Sequence, residues 1–151
     1  MPYICRMISS LILFAMLRFF APADESHWMK YSESDIQTFY IDTTRIHAID
    51  KYHVTIWSKV QALPEYAQKE RDQFVKDYGH EFDYFSYTVY KEEIDCQNER
   101  IRILAVFSYE IGNKIIRSAD IEENKMVWNS PPPNSVGDGL IRFLCRRKKE
   151  D

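Results

Sequence analysis

Alternating apolar and polar positions predict β-strands in the first half of the chain after residue 26. Short segments at 27–31 and 37–42 predict two strands, and the clearest alternation runs from 52 to 60. The segment Ala48-Ile49-Asp50-Lys51 between the strands predicts a connecting turn, so we expect a hairpin there. The two faces of the longest strand are Val54, Ile56, Ser58 and Val60 on one side, and His53, Thr55, Trp57 and Lys59 on the other.

The pattern changes between residues 63 and 83, where charged and amide side chains dominate. Phe74 and Tyr78 lie one helical turn apart, with Pro64 near the start of the segment and Gly79 near its end. This arrangement predicts a short amphipathic helix, because proline is tolerated in a first turn and glycine often ends a helix. A polar loop with a single helical turn is the alternative.

Strand patterns resume at 84–95, 100–110 and 114–121, separated by polar turns at 97–99 and 112–113. Three consecutive strands joined by short turns predict an antiparallel meander. In the second of these strands, we expect one face to carry Ile101, Ile103, Ala105, Phe107 and Tyr109.

The last segment predicts a helix that packs against the sheet. Three prolines at 131–133 disfavour helix before it, and Ser135 precedes Asp138 by three residues, as in a weak capping box. The predicted fold is therefore α+β, an antiparallel sheet of about six strands with a C-terminal helix packed on it. The apolar stripe of this helix is Val136, Leu140, Ile141, Leu144 and Cys145.

Composition narrows the class of protein. The chain has 151 residues, which favours one domain, and 45% are hydrophobic, which argues against disorder and low complexity. The net charge of −3 argues against a general nucleic-acid binder, since such proteins usually carry a basic excess.

The first 23 residues are typical of a cleaved signal peptide. Arg6 precedes an apolar run of signal-peptide length, and Ala21-Pro22-Ala23 fits the small-x-small cleavage pattern. The run is too short to cross a bilayer and Arg18 interrupts it, so an uncleaved or transmembrane helix is the weaker interpretation. We expect a leader at 1–23 and one mature domain at 24–151, exported to the periplasm or the cell surface and outer membrane.

Two cysteines, Cys96 and Cys145, remain in the mature chain, because Cys5 lies in the leader. An even pair in an oxidising compartment predicts a disulfide. Two free thiols are the alternative, although no C-x-x-C spacing is present to lower a thiol pKa.

Several short motifs together resemble the surface-adhesin protein E family of Gram-negative bacteria. The resemblance covers roughly residues 27–145, and the motifs are more specific in combination than singly. The first half carries Trp28, Tyr40, Asp42, Val54 and Trp57, followed by Asp95-Cys96, Arg100, Arg102 and Leu104. The second half carries Gly112-Asn113, Trp128, Pro132, Pro133, Ser135, Val136, Gly137 and the helix-terminal Cys145.

The resemblance implies an exported domain with an antiparallel sheet, a C-terminal helix and one disulfide. It also implies adhesion to host extracellular-matrix or serum proteins. The chain departs from the family pattern in the 47–51 turn and in the charged 63–83 segment. No set of ligand-contacting residues can be carried over from the family to this sequence.

No residue pattern predicts catalysis, a metal site or a cofactor. The histidines, including His47 and His53 around one predicted hairpin, lack H-x-H or H-E-x-x-H spacing. Glu92 and Glu93 are adjacent on a strand, so their side chains point to opposite faces and do not form an acid–base pair. Ser135 lies in a sequence unlike the G-x-S-x-G elbow, and helix capping is its simpler role.

Two surface features are candidates for binding. One is the basic run at the chain end, which could bind a polyanion or simply be solvated: Arg146, Arg147, Lys148 and Lys149. The other is an aromatic-rich set that is either sheet core or, where exposed, a protein-binding patch: Tyr84, Phe85, Tyr87 and Tyr90 with Trp57.

The sequence therefore predicts a non-enzymatic, exported binding module at the cell envelope, an adhesin for matrix or serum proteins. The alternative is a periplasmic structural or envelope accessory protein without a host ligand. No membrane span is expected after cleavage, and a homodimer is left open.

Overall fold

The structure, a computed structural model, describes residues 27–146. The predicted leader at 1–23 lies outside this range, as do Arg147, Lys148 and Lys149. The strands are β1 (Trp28–Glu33), β2 (Gln37–Asp42), β3 (His47–Ala48), β4 (His53–Ala62), β5 (Phe85–Asp95), β6 (Arg100–Glu110) and β7 (Ile115–Asp120). The helices are α1 (Ala67–Tyr78) and α2 (Val136–Arg146), with 3₁₀ turns at His80–Phe82 and Glu123–Lys125.

All the strands belong to one antiparallel sheet in the order β1-β2-β4-β5-β6-β7, and the short β3 also pairs with β4. The α+β prediction is confirmed. The tight hairpin at 48–52 joins β3 to β4, where Ile49 N donates to His53 O at 3.0 Å. Within residues 27–146, no helix has the length and apolar character needed to cross a bilayer.

One face of β6 differs from the prediction. The register with β5 pairs Lys91 with Ala105 but Glu92 with Ile103, so Leu104 is an extra residue in the ladder. A bulge of this kind reverses the alternation beyond it. Ile101 and Ile103 therefore lie on the opposite side of the sheet from Ala105, Phe107 and Tyr109, and the five do not share a face.

The core lies between α2 and one side of the sheet. Helix residues Leu140, Ile141 and Leu144 are at most 5% exposed, and they pack on a layer of strand residues. The layer consists of Ile41, Val54, Ile56 and Ile94. Burying seven such side chains at roughly 1.5–3 kcal/mol each makes this contact the main driving force for folding.

The start of α2 is fixed by local bonds and close packing. Asp138 N donates to Ser135 Oγ at 3.3 Å, while Asn134 N donates to the Asp138 carboxylate at 2.7 Å. A Cβ at Gly137 would lie 2.9 Å from Pro131 Cβ, so only glycine lets the proline segment pass this closely.

The charged 63–83 segment forms α1 at its centre and a 3₁₀ turn at its end. Phe74 stacks on Phe85 with ring centroids 4.0 Å apart, and buried Phe82 lies beside them. Gly79, with φ of 102°, separates the helix from the 3₁₀ turn, so the predicted helix end is confirmed. Because α1 has no buried residue of its own, it is held on the sheet by this aromatic cluster and by a hydrogen bond of 2.7 Å that Gln37 Nε2 donates to Glu70 Oε1.

The predicted disulfide is confirmed. Cys96 follows β5 directly and Cys145 lies in the last turn of α2, with a Cα–Cα distance of 5.4 Å and a sequence separation of 49. The bond joins the last turn of α2 to the end of β5, a strand on which the apolar face of α2 packs. Both helices lie on this same side of the sheet, which we call the covered face; the other side is the open face.

Candidate functional site

The open face carries rows of aromatic and cationic side chains that no described helix covers. Register places Lys59 next to Tyr40 on β2 and to Val89 on β5, and Trp57 next to Lys91. Because side chains directly across a ladder are about 5 Å apart, these groups form one continuous surface. Its members are Trp28, Tyr40, Arg45, Trp57, Lys59, Tyr87, Lys91, Arg102, Phe107 and Trp128.

Lys59 lies at the centre of three rings. Its Nζ is 4.6 Å from the ring centre of Tyr40, 5.1 Å from that of Trp28 and 5.4 Å from that of Tyr87. Only 9% of the residue is exposed, so its ammonium is partly desolvated and its attraction to the rings is strengthened. The three rings and the lysine therefore form a rigid base for this part of the surface.

Trp57 forms the middle of the open face. Its ring lies 5.5 Å from that of Phe107, and two cations approach it, Arg45 at 5.3 Å and Lys91 at 6.0 Å. Trp57 and Lys91 are both half-buried, so part of each remains available to another molecule.

Trp128 extends the surface over the start of β6. It comes from the loop after β7, which Asn129 ties to Ile101 by paired backbone hydrogen bonds of 2.8 and 2.9 Å. The Trp128 ring stacks on the guanidinium groups of Arg102 at 4.5 Å and Arg100 at 5.0 Å. Both arginines are held by carboxylates behind them, which fixes the ring position.

Asp95 is the carboxylate that holds Arg100. It is 1% exposed and accepts hydrogen bonds from Gln97 N, Asn98 N, Asn98 Nδ2 and Arg100 Nη2, at 2.7–3.1 Å. Burial alone would raise its pKa, but the bonds from Arg100, Asn98 and Gln97 outweigh burial and hold the pKa far below its usual range. Asp95 is thus an ionised anchor for the turn that precedes β6.

Asp42 has the same role at the end of β2. Its fully buried carboxylate accepts bonds from Thr44 N at 2.9 Å and Thr44 Oγ1 at 2.6 Å, and it pairs with Arg45 Nε at 2.7 Å. Burial raises its pKa, but the bonds from Thr44 and the charge of Arg45 outweigh that effect, so the net shift is downward. The pair positions Arg45 over Trp57.

The aromatic set predicted from the sequence does not form one face. Phe85 is buried against α1, and Tyr90 lies on the covered face beside Thr88 and Val106. Tyr84 precedes β5 and is 67% exposed. Only Tyr87 and Trp57 reach the open face, because successive residues of a strand alternate sides.

The other candidates remain dispersed. His53 bonds to Asp50 at 2.8 Å and His80 to Asp83 at 3.2 Å, and residues 27–146 hold no cluster of metal-ligating side chains. Glu92 and Glu93 point to opposite faces, as predicted from their adjacency, and Glu93 binds Arg102 at 2.6 Å.

Of the basic run at the chain end, the described structure contains Arg146. It lines a cavity of about 570 Å³ beside the disulfide, together with Lys51 and Arg142. Three cations from two elements therefore share one end of the molecule.

The pairing of rings with cations on the open face was not predicted from the sequence. The alternation in 52–60 placed Trp57 and Lys59 on one face, and that was the available signal. It did not reveal Lys91 or Arg102, because strand order and register decide which side chains are neighbours.

The fold and sequence match known proteins. The family model described as surface-adhesin protein E matches residues 28–146. Crystal form II of Haemophilus influenzae protein E is 17% identical, with a TM-score of 0.53 over 85% of this chain and 94% of that one. The selenomethionine form of the same protein is 16% identical, with a TM-score of 0.56 over 86% and 95%. Among curated proteins, no significant match is found.

Proposed function

Because this chain belongs to the surface-adhesin protein E family, we propose that it is an exported, non-enzymatic binding module at the envelope of a Gram-negative bacterium. Its proposed role is adhesion to host extracellular-matrix or serum proteins through the open face. The observation that carries the proposal is the uncovered surface of half-buried tryptophans and cations around Trp57.

Residue type supports a protein partner for this surface. Tryptophan, tyrosine and arginine dominate the energetics of protein interfaces, since they combine large apolar area with directed polar groups. The open face presents Trp28, Trp57 and Trp128 in positions fixed by neighbouring side chains. Such rigid anchors lose little conformational entropy when they bind.

The cations on the open face favour a partner with an acidic surface. The chain is acidic overall, with a net charge of −3, yet this face carries four cations, Arg45, Lys59, Lys91 and Arg102. Arg45 and Arg102 are neutralised by Asp42 and Glu93, so the charge offered to a partner comes mainly from Lys91. Lys91 contacts the Trp57 ring, and the described structure shows no carboxylate within ion-pair distance of it. An acidic patch on the partner would supply the complementary charge and accelerate association.

Export is supported by two independent features. The leader pattern at 1–23 directs a chain to the secretory route. The Cys96–Cys145 bond is of the kind that persists in oxidising compartments, namely the periplasm or the cell exterior. We propose that cleavage leaves residues 24–151 as the mature domain.

Solid-phase binding to purified matrix and serum proteins that span a range of acidity tests the proposal. We expect binding to the acidic members, and a loss of about tenfold or more in affinity for the Trp57→Ala/Lys91→Ala variant. The matched control, Tyr84→Ala/Lys114→Ala, removes one exposed ring and one exposed lysine elsewhere and should bind normally. Circular dichroism verifies that both variants are folded.

The basic chain end is a second proposed contact, for polyanions. An Arg146→Ala/Arg147→Ala variant should weaken binding to heparin-like chains, and salt titration should reproduce that loss. No binding of the wild-type protein at micromolar concentration, together with retention in the periplasm on cell fractionation, would contradict adhesion. That outcome would favour the envelope accessory role.

A further inference from the structure

A cavity of about 290 Å³ lies on the covered face, between α2 and the sheet. Its walls are mainly apolar, and its volume is at the lower end of the range of about 300–1,000 Å³ that is typical of small-molecule sites. The apolar walls are Phe39, Val60, Ile101, Ile103, Val136 and Leu140.

One carboxylate lies among these walls. Glu92 faces the cavity from β5, between Ile56 on one neighbouring strand and Ile103 on the other. Ser58 Oγ donates a hydrogen bond of 2.5 Å to its Oε2, and no lysine, arginine or histidine within residues 27–146 forms an ion pair with it. The cavity thus contains a carboxylate that has no ion-pair partner among the described residues.

The mainly apolar walls of the cavity disfavour the ionised form of Glu92. Burial raises the pKa of Glu92, and the hydrogen bond from Ser58 only partly offsets the effect. Tyr31 and Tyr90 line the same cavity, and burial together with the nearby Glu92 raises the pKa of both, so their hydroxyls stay neutral and able to donate. A ligand that brought its own positive charge would remove the penalty of the lone carboxylate.

We propose that this cavity is a binding site for a small organic ammonium ion, an amine with an apolar body. The ammonium group lies against the Glu92 carboxylate, and the apolar body lies along Phe39, Val60 and Leu140. Ser58 and the two tyrosine hydroxyls complete the polar end. An apolar carboxylic acid is rejected, because its charge would face Glu92.

The site is independent of the proposed adhesion. The cavity opens on the covered face, whereas Trp57 and Lys91 lie on the other side of the sheet. The Trp57→Ala/Lys91→Ala variant should therefore bind amines normally, so failure of either proposal leaves the other testable.

Titration calorimetry with three matched probes tests the inference: 4-phenylbutylamine, 4-phenylbutan-1-ol and 4-phenylbutyrate. The amine should bind about tenfold more tightly than the alcohol, because a charge-assisted hydrogen bond is stronger than a neutral one. The carboxylate should not bind. In Glu92→Gln the amine should lose this preference while the alcohol keeps its affinity, and the control Glu123→Gln should behave as wild type.

A second variant keeps the test decisive if Glu92→Gln alters the fold. Ile103→Phe narrows the cavity without touching the carboxylate, and it should weaken the amine and the alcohol alike. The proposal is overturned if amine and alcohol bind equally to the wild-type protein, if neither binds, or if the amine keeps its preference in Glu92→Gln.

Discussion

Two buried carboxylates, those of Asp95 and Asp42, each fix the turn that follows them by accepting hydrogen bonds from residues of that turn. Asp95 accepts four hydrogen bonds while it is 1% exposed, and Asp42 accepts two and pairs with Arg45. Each fixes an arginine that in turn contacts a tryptophan, Arg100 at Trp128 and Arg45 at Trp57. These residues therefore connect the stability of the turns to the shape of the open face.

Replacing Asp95 by asparagine should lower the free energy of unfolding at pH 7 by about 3 kcal/mol, because it leaves Arg100 without its buried partner. The folded-state pKa of Asp95 is depressed, so its contribution is present above the unfolded pKa of about 3.9 and is lost as pH falls toward the folded value. Wild type should therefore lose more stability than Asp95→Asn between pH 5 and pH 2.

Urea titrations at several pH values measure this difference. Asp72→Asn on the exposed side of α1 is the matched control and should change stability little at any pH. Equal stability of Asp95→Asn and wild type at pH 7 would show that the four hydrogen bonds contribute nothing net.

For individual residues, the sequence predicted the disulfide pair but not the three-dimensional surroundings of Glu92. Cys96 and Cys145 could be paired because they are the two cysteines outside the predicted leader. The position of Glu92 in an apolar cavity could not be predicted, since it depends on three strands and a helix that are distant in sequence.

Among the elements, the two helices differ in the contacts that hold them against the sheet. Helix α2 buries Leu140, Ile141 and Leu144, and its apolar stripe was evident in the sequence. Helix α1 packs through Phe74 and its aromatic neighbours, and its charged sequence predicted its end at Gly79 but not its start, which lies at Ala67, after Pro64. The bulge at Leu104 was not predictable, because residues 103–107 are all apolar and so show no break in alternation where the extra residue lies.

Removal of the disulfide tests how α2 is attached. The Cys96→Ala/Cys145→Ala variant should unfold with a free energy lower by about 4 kcal/mol, since the bond closes a loop of 49 positions in the unfolded chain. The three buried residues of α2 should keep it docked, so circular dichroism should remain similar to that of wild type.

Amide hydrogen exchange shows which part of the chain loses stability in the Cys96→Ala/Cys145→Ala variant. We expect the amides of α2 to exchange faster in the variant, while those of β4 and β5 at the sheet centre change only as global stability changes. Unchanged stability in urea, or cysteines of the wild-type protein that alkylate without reductant, would contradict this account.

As a whole, the molecule carries its main folding contacts on one side of the sheet, and the other side is the surface proposed for recognition. The covered face carries both helices, the core and the cavity with Glu92. The open face carries half-buried rings and cations whose positions are set by strand register. An uncovered sheet face of this composition is typical of an interaction surface, because exposed aromatic patches are uncommon on monomeric domains.

Hydroxyl-radical footprinting of the protein, free and bound to the acidic matrix or serum protein that it binds most tightly, tests whether the open face is the interface. We expect lower oxidation of Trp28, Trp57 and Trp128 in the complex, with no change at the exposed rings of Tyr78 and Tyr84. Protection of Tyr78 and Tyr84 with the three tryptophans unchanged would place the interface elsewhere and contradict it.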